Sequence, residues 1–171
     1  WNGDGSATMP WSYESGLRGA KAILRQRKSL IPYLYNCAYN SVENDVPMQA
    51  PPYIYYNDEN IDVNTDAFML GRDVLAKCVL DEGVTQVSVY LPKGDDWYLN
   101  ETGKLYCGGS TVKVDLPSDK PVPYFIRCGS VFPVDEGECS YKSAEKVVFT
   151  VYPVKNGKFT ARYFNDDGES F

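Results

Sequence analysis

The chain has 171 residues, of which 43% are hydrophobic, 14% aromatic and 23% charged, enough apolar material for a folded core. Seventeen basic residues against 23 acidic ones give a net charge of −6, which argues against a protein that tracks nucleic-acid phosphates. Its apolar runs are far shorter than the roughly 20 residues of a membrane-spanning helix. Histidine is absent, so any acid–base chemistry falls to carboxylates.

Residues 12–44 carry a helical pattern. Pro32 lacks the backbone N–H that a helix interior needs, so we expect the helix to kink there or to restart with Pro32 in a first turn. Apolar residues recur at three- and four-residue steps or their multiples, which predicts one apolar stripe: Leu17, Ala20, Leu24, Ile31 and Leu34. Packing is favoured over ligand binding for the tyrosines of this segment, Tyr33, Tyr35 and Tyr39.

Beyond residue 46 the pattern changes to short β-type runs separated by turn signals. Val87, Val89 and Leu91 alternate with more polar residues, which is typical of half-exposed antiparallel strands. Six strands are predicted in this part, at residues 75–80, 86–91, 97–99, 111–116, 124–126 and 131–134. The pattern indicates an antiparallel β-sandwich.

The last part of the chain predicts a β-hairpin. Residues 147–154 and 159–164 are both strand-like, and Asn156 and Gly157 between them can take the positive φ values of a type I′ turn. A second small β unit therefore begins here, and two strands alone are marginal in water. Since the chain begins at Trp1 and stops inside an aromatic stretch, we interpret it as a piece of a longer protein.

The cysteines do not indicate a metal or redox site. They have no C-x-x-C spacing, and an odd number in a chain of this length is not typical of a disulfide framework. We expect most of them to be reduced, buried small side chains: Cys37, Cys78, Cys107, Cys128 and Cys139.

Several short strings, in order along the chain, resemble glycoside hydrolase family 31, the α-glucosidase and α-xylosidase group. The first are Pro10-Trp11 and the stretch R-x-x-L-I-P-Y-L-Y from Arg27 to Tyr35, similar to the end of the family's catalytic barrel. Further matching strings are V-P-M at 46–48, F-M-L-G at 68–71, V-Y-L-P-K-G at 89–94, P-Y-F-I-R-C-G-S at 123–130 and Y-F-N-D-D-G-E-S at 163–170.

The resemblance implies a mainly β fold with an N-terminal helix. Residues 1–46 would end a (β/α)₈ barrel, 47–135 would form the antiparallel β-sandwich, and 136–171 would begin an incomplete distal β domain. It also implies a retaining α-glycosidase that acts on α-linked oligosaccharides and needs no metal or organic cofactor. In the family both catalytic carboxylates lie upstream of the P-W string, so we expect this chain to lack them and to be inactive alone. The partner it would need is the missing barrel.

The candidate substrate-binding residues are Trp1, Asn2 and Asp4, because Asn2 stands where the family usually carries a sugar-binding histidine. Asn2 is equally compatible with a hydrogen bond within its loop, and a turn role is favoured for Asp4. Trp97 beside two aspartates could stack on a sugar, although a packing role is favoured. An alternative function is a non-catalytic carbohydrate-binding or structural β module, which would leave the helical stripe without a partner.

Overall fold

The computed structural model of the chain describes residues 9, 12, 14–116, 122–137 and 146–166. Two helices come first, α1 (Glu14–Ser29) and α2 (Ile31–Asn44). Short strands and a single-turn 3₁₀ helix at Pro52–Ile54 follow. The strands are β1 (Gln49–Ala50), β2 (Ala67–Leu70), β3 (Val74–Lys77), β4 (Gln86–Leu91), β5 (Trp97–Leu99), β6 (Leu105–Tyr106), β7 (Ser110–Asp115), β8 (Phe125–Arg127), β9 (Ser130–Asp135) and β10 (Val147–Tyr152).

A six-stranded antiparallel sheet forms the centre of the described structure, with the strand order β1-β2-β3-β8-β5-β6. Strands β4 and β7 form a separate two-stranded ribbon in which Val89 lies opposite Val112. The apolar faces of ribbon and sheet pack together as a sandwich, because alternate residues of each strand point to the same side. This first core contains Met69, Leu75, Leu91, Trp97 and Phe125.

Helix α2 and strand β9 cover the opposite face of the sheet. Val74 and Ile126, neighbours in sequence of the first-core residues Leu75 and Phe125, point to this second side and contact Tyr33 and Phe132. Strand β9 pairs with β10 over six residues in a two-stranded antiparallel ribbon. The fold is therefore mainly β with an N-terminal helical segment, as predicted.

Several sequence predictions are confirmed. The helix ends at Ser29 and restarts at Ile31 with Pro32 in its first turn, where the missing N–H costs nothing. Val89 and Leu91 are buried while Gln86 and Ser88 are exposed, which is the predicted alternation. All six predicted strands are present, but three observed strands, β1, β2 and β6, are not among them. Two-residue strands such as β1 and β6 carry too short a pattern to be recognised.

The predicted hairpin is wrong. Residues 147–152 form a strand, but it pairs with β9, and residues 157–166 are not in a strand. Neither Asn156 nor Gly157 has a positive φ, so the type I′ turn does not form. Pairing of β10 with β9 over six residues is therefore favoured over the hairpin that the local turn signal predicts.

Burial of the cysteines is mixed. Cys37 and Cys128 are buried and Cys78 and Cys107 exposed, all four as free thiols, while Cys139 lies outside the described residues. No helix in the described part of the chain is long and apolar enough to cross a membrane.

Candidate functional site

The predicted substrate-binding residues Trp1, Asn2 and Asp4 lie outside the described residues. Trp97, the other aromatic residue considered for sugar stacking, is fully buried in the first core, and its indole N–H donates to the Pro92 carbonyl at 3.2 Å. It is therefore a packing residue. Within the described ranges, no group of three His, Cys, Asp or Glu side chains could hold a metal ion.

Helix α2 has two faces with different surroundings. Its inner face is buried at Tyr33, which is 5% exposed and whose ring lies 4.4 Å from that of Phe132. Its outer face carries Ile31, Tyr35, Tyr39 and Val42, which the helical repeat of 3.6 residues places on one side. All four are exposed, Val42 to 79%. Of the predicted apolar stripe, Leu24 and Ile31 are exposed, to 64% and 50%. The other three stripe residues, Leu17, Ala20 and Leu34, are half-buried.

The inner face of α2 is fixed to the β2–β3 turn. The Tyr33 hydroxyl donates to the Leu70 carbonyl at 2.6 Å and accepts from the Asp73 N–H at 3.3 Å. Gly71 in this turn has φ +57°, and a Cβ there would lie 2.6 Å from the Cys37 Sγ, so only glycine fits. Burial raises the pKa of Tyr33 well above its ordinary value and that of Cys37 to about 11, so both groups stay neutral at physiological pH.

An ion pair fixes α1 to the end of β9. The Lys28 Nζ lies 3.0 Å from the Asp135 Oδ2 and donates to the Gly137 carbonyl at 2.7 Å. Burial alone would raise the pKa of the Asp135 carboxyl. The Gly137 N–H, which donates to it at 2.8 Å, and the Lys28 ammonium outweigh this effect and hold the pKa below its ordinary value. The charge pair therefore holds α1 against the end of β9.

Asn36 connects α2 to the last described segment of the chain. Its Oδ1 accepts from the Phe164 N–H at 2.7 Å, and its Nδ2 donates to the Phe164 carbonyl at 3.1 Å and to the Pro32 carbonyl at 2.9 Å. The Phe164 ring stacks on that of Tyr39 at 3.9 Å with an interplanar angle of 4°. The segment around Phe164 thus lies along the helix. The sequence carries no signal for this contact, because the two residues are 128 positions apart.

A cleft of about 750 Å³ opens between α2, the β2–β3 turn and the β9–β10 ribbon. Residues 160–163 line it as well. Its charged lining residues are Arg72, Asp73, Arg127 and Arg162. Arg127 donates to the Asp73 Oδ1 from Nε at 2.9 Å and from Nη2 at 2.7 Å.

This arrangement does not provide the chemistry of glycoside cleavage. The family reaction needs two carboxylates on opposite sides of a glycosidic bond. Asp73, which contributes the carboxylate among the described lining residues of the cleft, is ion-paired with Arg127. Among its described lining residues, the cleft therefore contains no acid–nucleophile pair.

Comparison with known proteins identifies relatives over most of the chain. Residues 45–132, just over half of the sequence, match the family model described as "Glycosyl hydrolase family 31 C-terminal domain". The "Probable glucan 1,3-alpha-glucosidase" of Arabidopsis thaliana is 32% identical over 167 residues, covering 95% of this chain and 18% of that protein. The "1,6-alpha-glucosyltransferase" of Sporosarcina globispora is also 32% identical, covering 95% of this chain and 13% of the relative.

A solved structure is similar in fold as well as in sequence. The family 31 dextranase of Flavobacterium johnsoniae, in complex with isomaltotriose, superposes with a TM-score of 0.80 at 28% identity. The match covers 97% of this chain and 21% of the dextranase chain. The chain therefore spans about a fifth or less of the length of these relatives.

Proposed function

Because the chain belongs to glycosyl hydrolase family 31, we propose that it is the C-terminal part of a retaining α-glycosidase acting on α-linked glucosides. In this proposal α1 and α2 end the catalytic barrel at residue 46, and residues 47–135 form the β-sandwich that supports it. Residues 136–171 begin a distal β domain. The boundary at 135 falls between β9 and β10, which pair with each other, so the second and third units would share a ribbon.

The single observation that carries this proposal is the outer face of α2. A helix that belonged to a self-contained module would bury its apolar side, because each exposed aliphatic side chain forgoes roughly 1.5 to 3 kcal/mol of burial. Here Ile31 and Val42 face outward, although Tyr33 and Cys37 on the inner face are buried. A further apolar surface, supplied by the preceding barrel elements, would cover them.

The carboxylates for catalysis would come from the barrel. One would attack the anomeric carbon to form a glycosyl-enzyme, and the other would protonate the leaving oxygen and then activate water. The role of this chain would be to close the barrel wall and hold the loops around the sugar pocket. We propose Trp1, Asn2 and Asp4 as substrate contacts in that pocket, with Asn2 as hydrogen-bond donor and acceptor.

Hydrolysis assays test the proposal that the barrel, and not this chain, supplies the catalytic carboxylates. The purified 171-residue chain should not release 4-nitrophenol from 4-nitrophenyl α-D-glucopyranoside, whereas the longer polypeptide that includes the barrel should. In that polypeptide, Asn2→Ala should raise KM or lower kcat, while Asn156→Ala, on an exposed position after β10, should leave both unchanged. Turnover by the isolated chain would overturn the proposal.

A carbohydrate-binding module is the second candidate function, and the aromatic content of 14% favours it. It predicts saturable binding of a neutral α-glucan by the isolated chain. The exposed outer face of α2 argues against it. Isothermal titration with maltotriose distinguishes the two, since the barrel proposal expects no binding of this neutral sugar without the barrel.

A further inference from the structure

The charges along the cleft between α2 and the β9–β10 ribbon differ in sign from those of the whole chain. Among the residues that the structure describes, three arginines and one aspartate line it, an excess of two positive charges, in a chain with a net charge of −6. A concave surface focuses the field of such charges and raises the local concentration of anions. The lining therefore favours a negatively charged ligand.

Two of these arginines can contact a ligand without breaking an existing ion pair. Arg127 is occupied by Asp73 and lies 3.8 Å from the Asp95 carboxylate. Arg72 and Arg162 are exposed, and their side chains form no hydrogen bond or ion pair with the residues that the structure describes. A guanidinium presents paired N–H donors that match a carboxylate or a phosphate in a bidentate manner.

The remaining lining suits an organic ligand. Tyr55 lies close enough to Arg72 that the arginine opposes the effect of burial, which raises the pKa of the Tyr55 hydroxyl. Asn40 and Tyr163 add polar groups, and Phe149 adds an aromatic surface. A volume of about 750 Å³ lies within the range of pockets that bind small organic molecules, roughly 300–1,000 Å³.

We propose that this cleft binds a small organic ligand that carries a carboxylate or a phosphate group, with Arg72 and Arg162 contacting the anionic group. The proposal stands independently of the enzymatic function, because it rests on residues 72 and 162 and on the shape of the cleft. Neutral sugars lack the charge that the arginines would pair with and should bind poorly.

The test titrates the 171-residue chain with four probes and follows backbone amide shifts by NMR. We expect D-glucuronate or D-glucose 6-phosphate to bind at least tenfold more tightly than D-glucose and than inorganic phosphate. The tighter of the two identifies the anionic group. Raising NaCl from about 50 to about 500 mM should weaken binding severalfold, since salt screens exposed charges.

Variants that remove the charge of an arginine test whether Arg72 and Arg162 contact the ligand. Arg72→Gln combined with Arg162→Gln should weaken binding of the preferred anion at least tenfold, whereas the matched control Arg25→Gln, on an exposed position of α1 outside the cleft, should not change it. Circular dichroism establishes that the variants are folded. Absence of binding, equal binding of glucose or inorganic phosphate, or binding that the double variant leaves unchanged would each overturn the proposal.

Discussion

Asn36 illustrates how one buried amide can join distant parts of a chain. It is 8% exposed, and its side chain satisfies both the N–H and the carbonyl of Phe164. Such paired hydrogen bonds resemble those between two antiparallel strands, here made by a helix side chain. Sequence patterning could not find this role, because a polar residue in a helix is usually a surface residue.

Replacing Asn36 by alanine should destabilise the chain by about 2–3 kcal/mol, because two partly buried hydrogen bonds to Phe164 and a buried one to the Pro32 carbonyl are lost, and the Phe164 backbone groups lose their partners. Urea unfolding measures the difference. Asn40→Ala is the matched control, since Asn40 is exposed on the same helix, and should stay within about 0.5 kcal/mol of the native chain. Equal effects of the two changes would contradict the assigned role of Asn36.

Two ion pairs of the described structure should contribute differently to the free energy of unfolding. Arg127→Lys should cost about 1–2 kcal/mol, because lysine cannot reproduce the Nε and Nη2 bonds to the partly buried Asp73 carboxylate. Lys146→Gln should cost no more than about 0.5 kcal/mol, because both side chains of the Lys146–Glu136 pair are more than half exposed. Urea unfolding of both variants tests this order, and a larger effect at Lys146 would refute it.

Asp58 should give the stability of the chain an acid-sensitive component. The Lys93 N–H donates to its carboxylate at 2.8 Å and the Tyr90 hydroxyl at 2.7 Å, and these bonds lower the pKa of Asp58 to about 2. A carboxyl whose pKa is lowered by folding stabilises the protein above its unfolded pKa of about 4, and this contribution disappears as the pH falls towards 2.

Carboxyl ¹³C NMR should therefore give a pKa near 2 for Asp58. Between pH 4 and about 2, urea unfolding should show a smaller loss of stability for Asp58→Asn than for the native chain. An NMR pKa near 4 would show that the hydrogen bonds from Lys93 and Tyr90 do not form in solution.

At the scale of elements, the periodicity of the chain predicts the helical segment and the β4–β7 alternation, because both patterns are local. Pro32 marks the break between α1 and α2 for the same reason. The pairing of β10 cannot be predicted in this way. The Asn156-Gly157 signal favours a local hairpin, whereas the structure places Phe149 opposite Pro133 and Val151 opposite Val131 in a longer-range register.

The two faces of α2 should respond differently to substitution. Tyr33→Ala should cost about 3–5 kcal/mol, because it removes a buried ring and leaves a cavity beside Phe132. Val42→Ala should stay within about 0.5 kcal/mol, because Val42 is 79% exposed in this chain. Thermal unfolding of both variants checks the contrast. A large cost at Val42 would mean that the outer face is already covered in the isolated chain.

At the scale of the whole molecule, the described residues form two cores on either side of one sheet. Membership of the family was predictable from short ordered strings such as F-M-L-G at 68–71, which coincides with β2 and its turn. The cleft was not predictable, since its arginines at 72, 127 and 162 come from the β2–β3 turn, from β8 and from the last described segment, which are far apart in sequence. The candidate substrate contacts Trp1, Asn2 and Asp4 remain predictions.

We propose that the outer face of α2 completes a catalytic barrel, and reconstitution of the enzyme from two polypeptides tests this proposal. The preceding barrel polypeptide, expressed separately, should hydrolyse 4-nitrophenyl α-D-glucopyranoside only when the 171-residue chain is added. Ile31→Gln combined with Val42→Gln should reduce this rescue at least tenfold without unfolding the chain, because both side chains are exposed in it. Full activity of the barrel alone, or full rescue by the double variant, would contradict the claim.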